Sequence, residues 1–394
     1  MFARFTSARK TAARLLAPLA FVWLAACDPS ALIDAGGSGP KIDPNAPVQV
    51  ALLVPGGSGS KTDDLLAVNL ENAARMAMAD LKGVKIDLRV YNTAGKPDQA
   101  AQVAVQAVEQ GAKVILGPLY GSAANSVGIA VAPRNVNVLA FSNNPEIAGG
   151  NVFVLGATFQ NTANRLVQYS KRQGIDRYMV VHADDLQGQI GRDAITNAVK
   201  ANGATMAGVA SYPLSQQGIL DSTRQIAAAA KSTGANALFL TAGVNADLPI
   251  LATALPEAGL NPADTKYIGL TRWNAAPQAL ALPGLQGGLF ALPDRGMKAV
   301  FESRYSAAYG DRPHPLAGLS YDGIAAIGAL VAAGKRDALT AKALTAPQGF
   351  QGTSGIFRLL PNGLNERGLS VATVRNNQVV IVEGAPKSFG GAGF

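Results

Sequence analysis

The chain has 394 residues, 34 Lys and Arg against 26 Asp and Glu, a formal net charge of +8, two histidines and a single cysteine. That length favours two domains over one, and a lone cysteine forms no internal disulfide, so the fold must stand on packing. Four of the cations, Arg4, Arg9, Lys10 and Arg14, lie in an acid-free amino terminus, leaving 30 against 26. No run of Lys and Arg interleaved with aromatics follows, so nucleic acid finds no support as a partner.

Behind those cations comes the apolar stretch Leu15 to Ala26, the layout of an export signal over 1–26 that is too short to span a membrane. It ends in Leu24-Ala25-Ala26-Cys27, which resembles the bacterial lipobox. That resemblance implies a diacylated Cys27 as the first mature residue, anchored to the inner or outer membrane. Asp28 resembles an inner-membrane retention signal, or is only the first residue of the tether. Residues 27–47, rich in Pro, Gly, Ser and Asp, read as a flexible tether.

Val48 to Val54 is a continuous apolar run of strand length, stopped by Pro55-Gly56-Gly57-Ser58-Gly59, and Leu65 to Leu81 has helical spacing. The unit recurs: strand Lys85 to Tyr91, helix Pro97 to Gln110, strand Lys113 to Leu116, another helix, strand Asn137 to Phe141. A second series runs through helix Asn161 to Gln173, strand Arg177 to His182, helix Gly191 to Asn202, strand Thr205 to Ser211 and helix Leu220 to Thr233. It closes with strand Ala237 to Thr241, a helix before Gly259 and strand Tyr267 to Leu270. Strands alternating with amphipathic helices predict an α/β fold of parallel sheets covered on both faces, in two lobes. Helices Met297 to Tyr309 and Leu319 to Ala333 then precede antiparallel strands Gly355 to Leu359, Ser370 to Arg375 and Gln378 to Val382, with Asn376-Asn377 as a hairpin turn. Ligands of open α/β sheets sit beyond the carboxyl ends of the strands, so the loops there are the candidate site.

The opening Ala51-Leu52-Leu53-Val54-Pro55-Gly56, the loop Ile115 to Ser122, Phe141-Ser142-Asn143-Asn144, Ser320-Tyr321-Asp322 and the segment Phe350 to Asn365 resemble, in that order, the leucine/isoleucine/valine-binding family of type I periplasmic binding proteins. The resemblance implies two Rossmann-like lobes joined by three crossovers and hinging over a ligand. Lobe 1 would be 48–156 plus 293–349, lobe 2 would be 157–292 plus 350–385, and 386–394 a tail. It also implies that Ser122 and Ser142 hold a ligand carboxylate, helped by helix N–H groups. The family's ammonium-binding aromatic and acid do not match Asp184 to Gly188 or Ala242 to Asn245, although Asp184, Asp185 or Asp247 could supply a charge. A narrower likeness, in the Ala-Leu-Leu-Val-Pro start and the Leu-Gly-Pro-Leu loop, is to lipoproteins that activate penicillin-binding proteins, the peptidoglycan synthases, although the helical-repeat domain of their large members does not precede Val48.

The cleft is therefore expected to be lined by Gly57, Ser58, Tyr120, Gly121, Ser122, Ser142, Asn143, Asp185, Asn245, Arg272 and Trp273. Tyr120 and Trp273 could stack on a sugar or apolar group and Arg272 could pair with a carboxylate; Trp273 could equally pack the hinge. Gly56 to Thr62 lacks P-loop spacing, but its N–H groups remain open to an anion. His182, next to Asp184 and Asp185, has no further ligand for a metal, and no nucleophile elbow or zinc-hydrolase His pair occurs, so neither enzyme, metal nor cofactor is expected. The reading is a periplasmic lipoprotein regulating a peptidoglycan synthase. The alternative is the receptor of an ABC importer, feeding a permease with an amino acid or another small polar solute.

Overall fold

The computed structural model describes residues 39–390, so the export signal, Cys27 and most of the tether lie outside the described residues. The first sheet is built from β1 (Val48–Val54), β2 (Ile86–Asn92), β3 (Val114–Leu116), β4 (Asn137–Ala140) and β5 (Val152–Val154), all parallel in the order β2-β1-β3-β4-β5. Between them run α1 (Lys61–Asp80), α2 (Pro97–Glu109) and α3 (Gly121–Val131). Because side chains alternate across a strand, Leu52 and Leu116 face the α1 side, while Ala51, Leu53 and Ile115 meet Ala100 and Ala104 of α2 and Val127 of α3. Both faces are thus covered, and β1 reads as one uninterrupted apolar run.

The second series contains α4 (Phe159–Arg172), β6 (Arg177–Ala183), α5 (Leu186–Ala201), β7 (Thr205–Tyr212), α6 (Gln216–Thr233), β8 (Ala237–Leu240), α7 (Leu248–Glu257), β9 (Lys266–Gly269) and β10 (Leu289–Leu292). Thr158 and Asn161 start α4 with a reciprocal capping box, and Asp185 and Ser215 cap α5 and α6. The chain then forms α8 (Arg295–Tyr309), α9 (Ala317–Ala332) and the short α10 (Ala341–Leu344). A small antiparallel sheet follows, of β11 (Phe350–Gly352), β12 (Gly355–Leu359) and β13 (Asn365–Arg367). Finally β14 (Ser370–Arg375) and β15 (Gln378–Glu383) complete a seven-stranded sheet, β15-β14-β10-β9-β8-β6-β7. Asn376 and Asn377 turn that hairpin with φ of 50° and 61°, the left-handed pair of a two-residue turn.

Three short crossings join the lobes. Residues 155–158 lead from the carboxyl end of β5 into α4, and 293–294 from the carboxyl end of β10 into α8. Residues 368–369 lead from β13 into β14, whose Ser370 pairs with Leu292 at that same end of β10. A four-residue link spans at most roughly 14 Å, and α4 begins at the carboxyl edge of the second sheet because it returns antiparallel to β6. The two carboxyl edges therefore face each other.

Helix α9 returns to the first lobe, where Ile324 and Ile327 enter the core with Leu52 and Leu116. The segment from 350 departs from the sequence reading, which gave it to the second lobe. Phe350, Phe357 and Leu359 lie in the first lobe's core, and only from Leu369 onwards does the chain join the second. A three-stranded sheet with alternating burial needs an apolar surface to rest on, and β11 finds it on α9.

Candidate ligand-binding cleft

The first-lobe wall of the cleft is made by the turns after β1, β2, β3 and β4. Gly117 has φ +91°, and a Cβ there would stand 2.3 Å from the Leu53 carbonyl, so the turn after β3 can fold tightly against β1 only with glycine. That turn delivers Tyr120, 39% exposed, to the edge, where its hydroxyl donates to Asp63 Oδ1 at 2.6 Å while Ser58 Oγ donates to Asp63 Oδ2 at 2.8 Å. The Asp63 carboxylate, which favours the bound proton, holds the Tyr120 hydroxyl above the usual phenol range. Gly57 N–H donates to Asp64 Oδ1 and Ser60 N–H to Ser58 Oγ. The loop's own acid and hydroxyl thus take the N–H groups of Gly57 and Ser60, two of those expected to be open to an anion.

Gly121 and Ser122 begin α3, which no side chain caps, so its first N–H groups are left for another acceptor. Ser142, 5% exposed, accepts from Asn144 N–H at 3.1 Å, and a Cβ on Gly121 would lie 3.4 Å from its Oγ. The hydroxyl of Ser142 thus stands beside the first turn of α3, with Ser122 and Asn143 exposed around it. These residues, with Tyr120, Ser58 and Gly57, are brought to one edge of one lobe.

Across from them, Asp185, Asn245 and Arg272 lie on the turns after β6, β8 and β9. Asp185 accepts from Gly188 N–H at 2.7 Å as the cap of α5. Asn245 and Arg272 are exposed, and Arg272 has no ion-pair partner among the described residues. Asp247 is buried, accepting from the Tyr212 hydroxyl and from Gly243 N–H, so it shapes the turn after β8 and offers no charge to the cleft. Burial, reinforced by Asp247, pushes the Tyr212 hydroxyl well above its ordinary range. His182 is buried against the Ala183 carbonyl and forms no hydrogen bond or ion pair with either neighbouring aspartate among the described residues.

Trp273 does not line the cleft. It is 0% exposed, 5.4 Å from the Phe290 ring, and fills space left by Gly269 and Gly288, where added Cβ atoms would come within 2.2 and 2.7 Å of its indole. It belongs to the second lobe's core.

The sequence from 47 to 378 matches the family described as periplasmic binding protein. The chain belongs to that family. Among solved structures, this periplasmic binding protein is similar to a protein from Rhodospirillum rubrum assigned to branched-chain amino acid ABC transport, with TM-score 0.69, 17% identity and coverage of 86% of this chain and 100% of that one. It is also similar to an ABC transporter substrate-binding protein of Desulfitobacterium hafniense in complex with Leu, with TM-score 0.59, 16% identity and coverage of 86% and 100%. A third is a solute-binding protein of an ABC transporter from Rhodopseudomonas palustris in complex with 3,4-dihydroxybenzoic acid, with TM-score 0.52, 17% identity and coverage of 88% and 99%. At such identities these likenesses show the fold: two α/β lobes of the type I binding-protein class. No curated protein matches the sequence.

What sequence reading missed in this periplasmic binding protein is the set of bonds that ties its crossings together. Asp322 of α9, 1% exposed, accepts from Thr353 N–H at 2.6 Å and from Arg367 Nη1 at 3.3 Å. Arg367 Nη2 donates to the Leu155 carbonyl in the first crossing, and Asp294 N–H in the second donates to the Ser354 carbonyl beside Thr353. Burial pushes the Asp322 carboxyl up against the opposing pull of Arg367. Asp322 and Arg367 lie 45 residues apart, and no local pattern announces their pairing. No group of three or more metal-ligating side chains occurs among the described residues, and none of their helices is long and apolar enough to cross a membrane.

Proposed function

We propose that this periplasmic binding protein is the receptor of an ABC importer and captures a small carboxylate-bearing solute between its lobes. The observation that carries the reading is the pairing of two unlike walls. An uncapped helix start beside the Ser142 hydroxyl faces the edge that bears the unpaired Arg272. Both suit an anion, the first through N–H donors and the helix dipole, the second through a planar guanidinium. Closure about the three crossings would bring the two onto one ligand.

The family match and the similar structures are those of solute receptors. The narrower likeness to synthase activators gains no support from them, so the importer reading now stands first. Cys27 would carry the acyl chains that hold the receptor at a membrane of the periplasm, within reach of a permease. The ligand class is suggested by the relatives whose structures hold leucine and 3,4-dihydroxybenzoic acid.

The test is native mass spectrometry of the body from Val48, purified without added solute, followed by calorimetric titration of leucine and of 3,4-dihydroxybenzoate. A co-purified mass lost on denaturation, or saturable binding weakened by Ser142→Ala and by Arg272→Ala, is expected. Each variant removes a hydrogen bond to a charged group, worth about 1.5–3 kcal/mol, or roughly ten- to a hundredfold in affinity. An empty protein that binds neither solute, or one whose binding ignores both substitutions, removes the cleft from the argument.

A further inference from the structure

A second cavity, of about 590 Å³, opens on the flank of the crossings and shares no residue with the cleft walls. One side is the first half of α8, where Met297, Val300, Phe301 and Arg304 recur at helical spacing on one face. The other side is α9 with Tyr321 and Ala325, and the floor is Gln351 to Thr353 of β11 and the residue after it. Of all the residues of α8, only Phe301 and Tyr305 are buried. Val300 is 59% exposed although it belongs to the apolar face, because little from α9 reaches across to it. The Phe301 and Tyr321 rings meet edge-on at 5.8 Å, so an aromatic wall is already in place.

The charges around this space are paired. Its lining holds two cations, Arg304 and Lys387, and one acid, Asp294. Asp294 is occupied, accepting from Lys387 and from the first N–H groups of α8. Arg304 gives Nη2 to Asp80 and Nη1 to the Tyr321 hydroxyl, which leaves its Nε–H without a partner among the described residues. Asp80, just outside the lining, also accepts from the Tyr321 hydroxyl. An apolar, partly aromatic trough edged by a guanidinium that keeps an unused Nε–H donor beside its ion pair with Asp80 fits a flat organic anion that shares Arg304 with that acid, and its volume falls within the range of small-molecule sites, about 300–1,000 Å³.

We propose that the cavity between α8 and α9 is a second binding site, distinct from the cleft, for an aromatic monoanion. The ring system lies against Val300, Phe301 and Tyr321, and the anionic group meets Arg304. The floor is Thr353, whose N–H holds Asp322 in the bonds that tie the crossings, so an occupant rests on the elements that join the lobes.

The probe is 8-anilinonaphthalene-1-sulfonate, titrated by fluorescence into the folded wild-type protein and four variants. Saturable one-site binding is expected. Filling the trough by Ala325→Phe, or from the exposed side by Val300→Trp, should weaken it about tenfold or more. Arg304→Gln, which breaks a solvent-exposed ion pair with Asp80 and a long hydrogen bond to the Tyr321 hydroxyl, should also weaken it about tenfold, whereas Arg272→Ala at the cleft should leave it unchanged. Absence of saturable binding to the wild type overturns the proposal, as does binding that survives both filling substitutions or is lost with Arg272→Ala.

Discussion

Replacing Arg367 by alanine should cost about 3–5 kcal/mol, the loss typical when one partner of a buried ion pair is removed and the other is left uncompensated. The stranded group is Asp322, 1% exposed, which would keep the Thr353 N–H as its partner but lose the only cation paired with it among the described residues. The Leu155 carbonyl would lose a donor as well, and Phe357 the guanidinium that stands 5.2 Å from its ring. One feature works against the full cost: Arg367 Nε is buried without a partner, so its removal relieves a desolvated donor. For a chain of this size a urea slope of roughly 3 kcal/mol per molar is appropriate, so the midpoint should fall by about 1–1.7 M. The double variant Asp322→Leu, Arg367→Leu removes both charges and should recover most of that loss. Urea unfolding followed by far-ultraviolet circular dichroism measures both. A shift below about 0.3 M for Arg367→Ala, or a double variant no better than the single, would refute the view that this pair holds the crossings.

Trp273→Ala should lower stability by about 3–5 kcal/mol as a large buried side chain is lost, while ligand affinity of the folded protein is retained; a thermal melt paired with calorimetric titration separates this from a cleft role, which would give the reverse. Trp273→Phe should be much milder, because Trp273 Nε1–H has no partner in the core. Acid sensitivity follows from Asp80 and Asp294, whose carboxyls are held below their ordinary value of 3.8, chiefly by hydrogen bonds from Arg304 and Lys387. A depressed carboxyl contributes stability that is present above the unfolded pKa and lost as pH falls through the folded one. The melting temperature should therefore drop below pH 3.8, and Lys387→Met should make that drop shallower. An unchanged acid slope in the variant would show that Asp294 does not contribute.

The strands of both sheets were legible where the apolar run was continuous, as in β1, β6 and β8, because a strand covered on both faces has no polar side to interrupt it. β5 and β10 were not read, being only three and four residues long, β5 at the sheet edge beside β4 and β10 held between β9 and the distant β14. Helix α5 begins five residues before its expected start because Asp185 caps it while its first turn is largely exposed and carries no apolar stripe. The cleft loops followed from topology alone, since strand ends locate them. What each side chain does there did not follow. Trp273 sits at a strand end like Tyr120, yet is drawn inward by the missing side chains of Gly269 and of Gly288, which is far along the chain. Asp63 was overlooked as the partner of Tyr120 because 57 residues separate them.

The bonds from Leu155 through Arg367, Asp322 and Thr353 to Ser354 and Asp294 join the first two crossings and include Arg367, the residue just before the third. Lobe closure must either carry this chain as a rigid unit or break it. Its central carboxylate is almost wholly buried, and breaking it in place would leave a charge without a counter-ion, so rotation is directed to the residues outside the network. Residues 156–158 and 368–369 are the segments left to turn. Gly156 and Gly368 lie there, but a Cβ at Gly156 would meet the Ser142 carbonyl at 2.4 Å, whereas the first obstacle at Gly368 is the Ile356 side chain at 2.9 Å. Packing thus fixes the first crossing to the strand that carries Ser142, while the third is held by the Gly368 N–H on the Ile356 carbonyl and by Arg165 Nε on the Leu369 carbonyl. On the receptor reading proposed above, the first-lobe wall beside α3 is expected to keep its shape as the lobes close, and the edge that bears Arg272 is the one expected to move over the ligand.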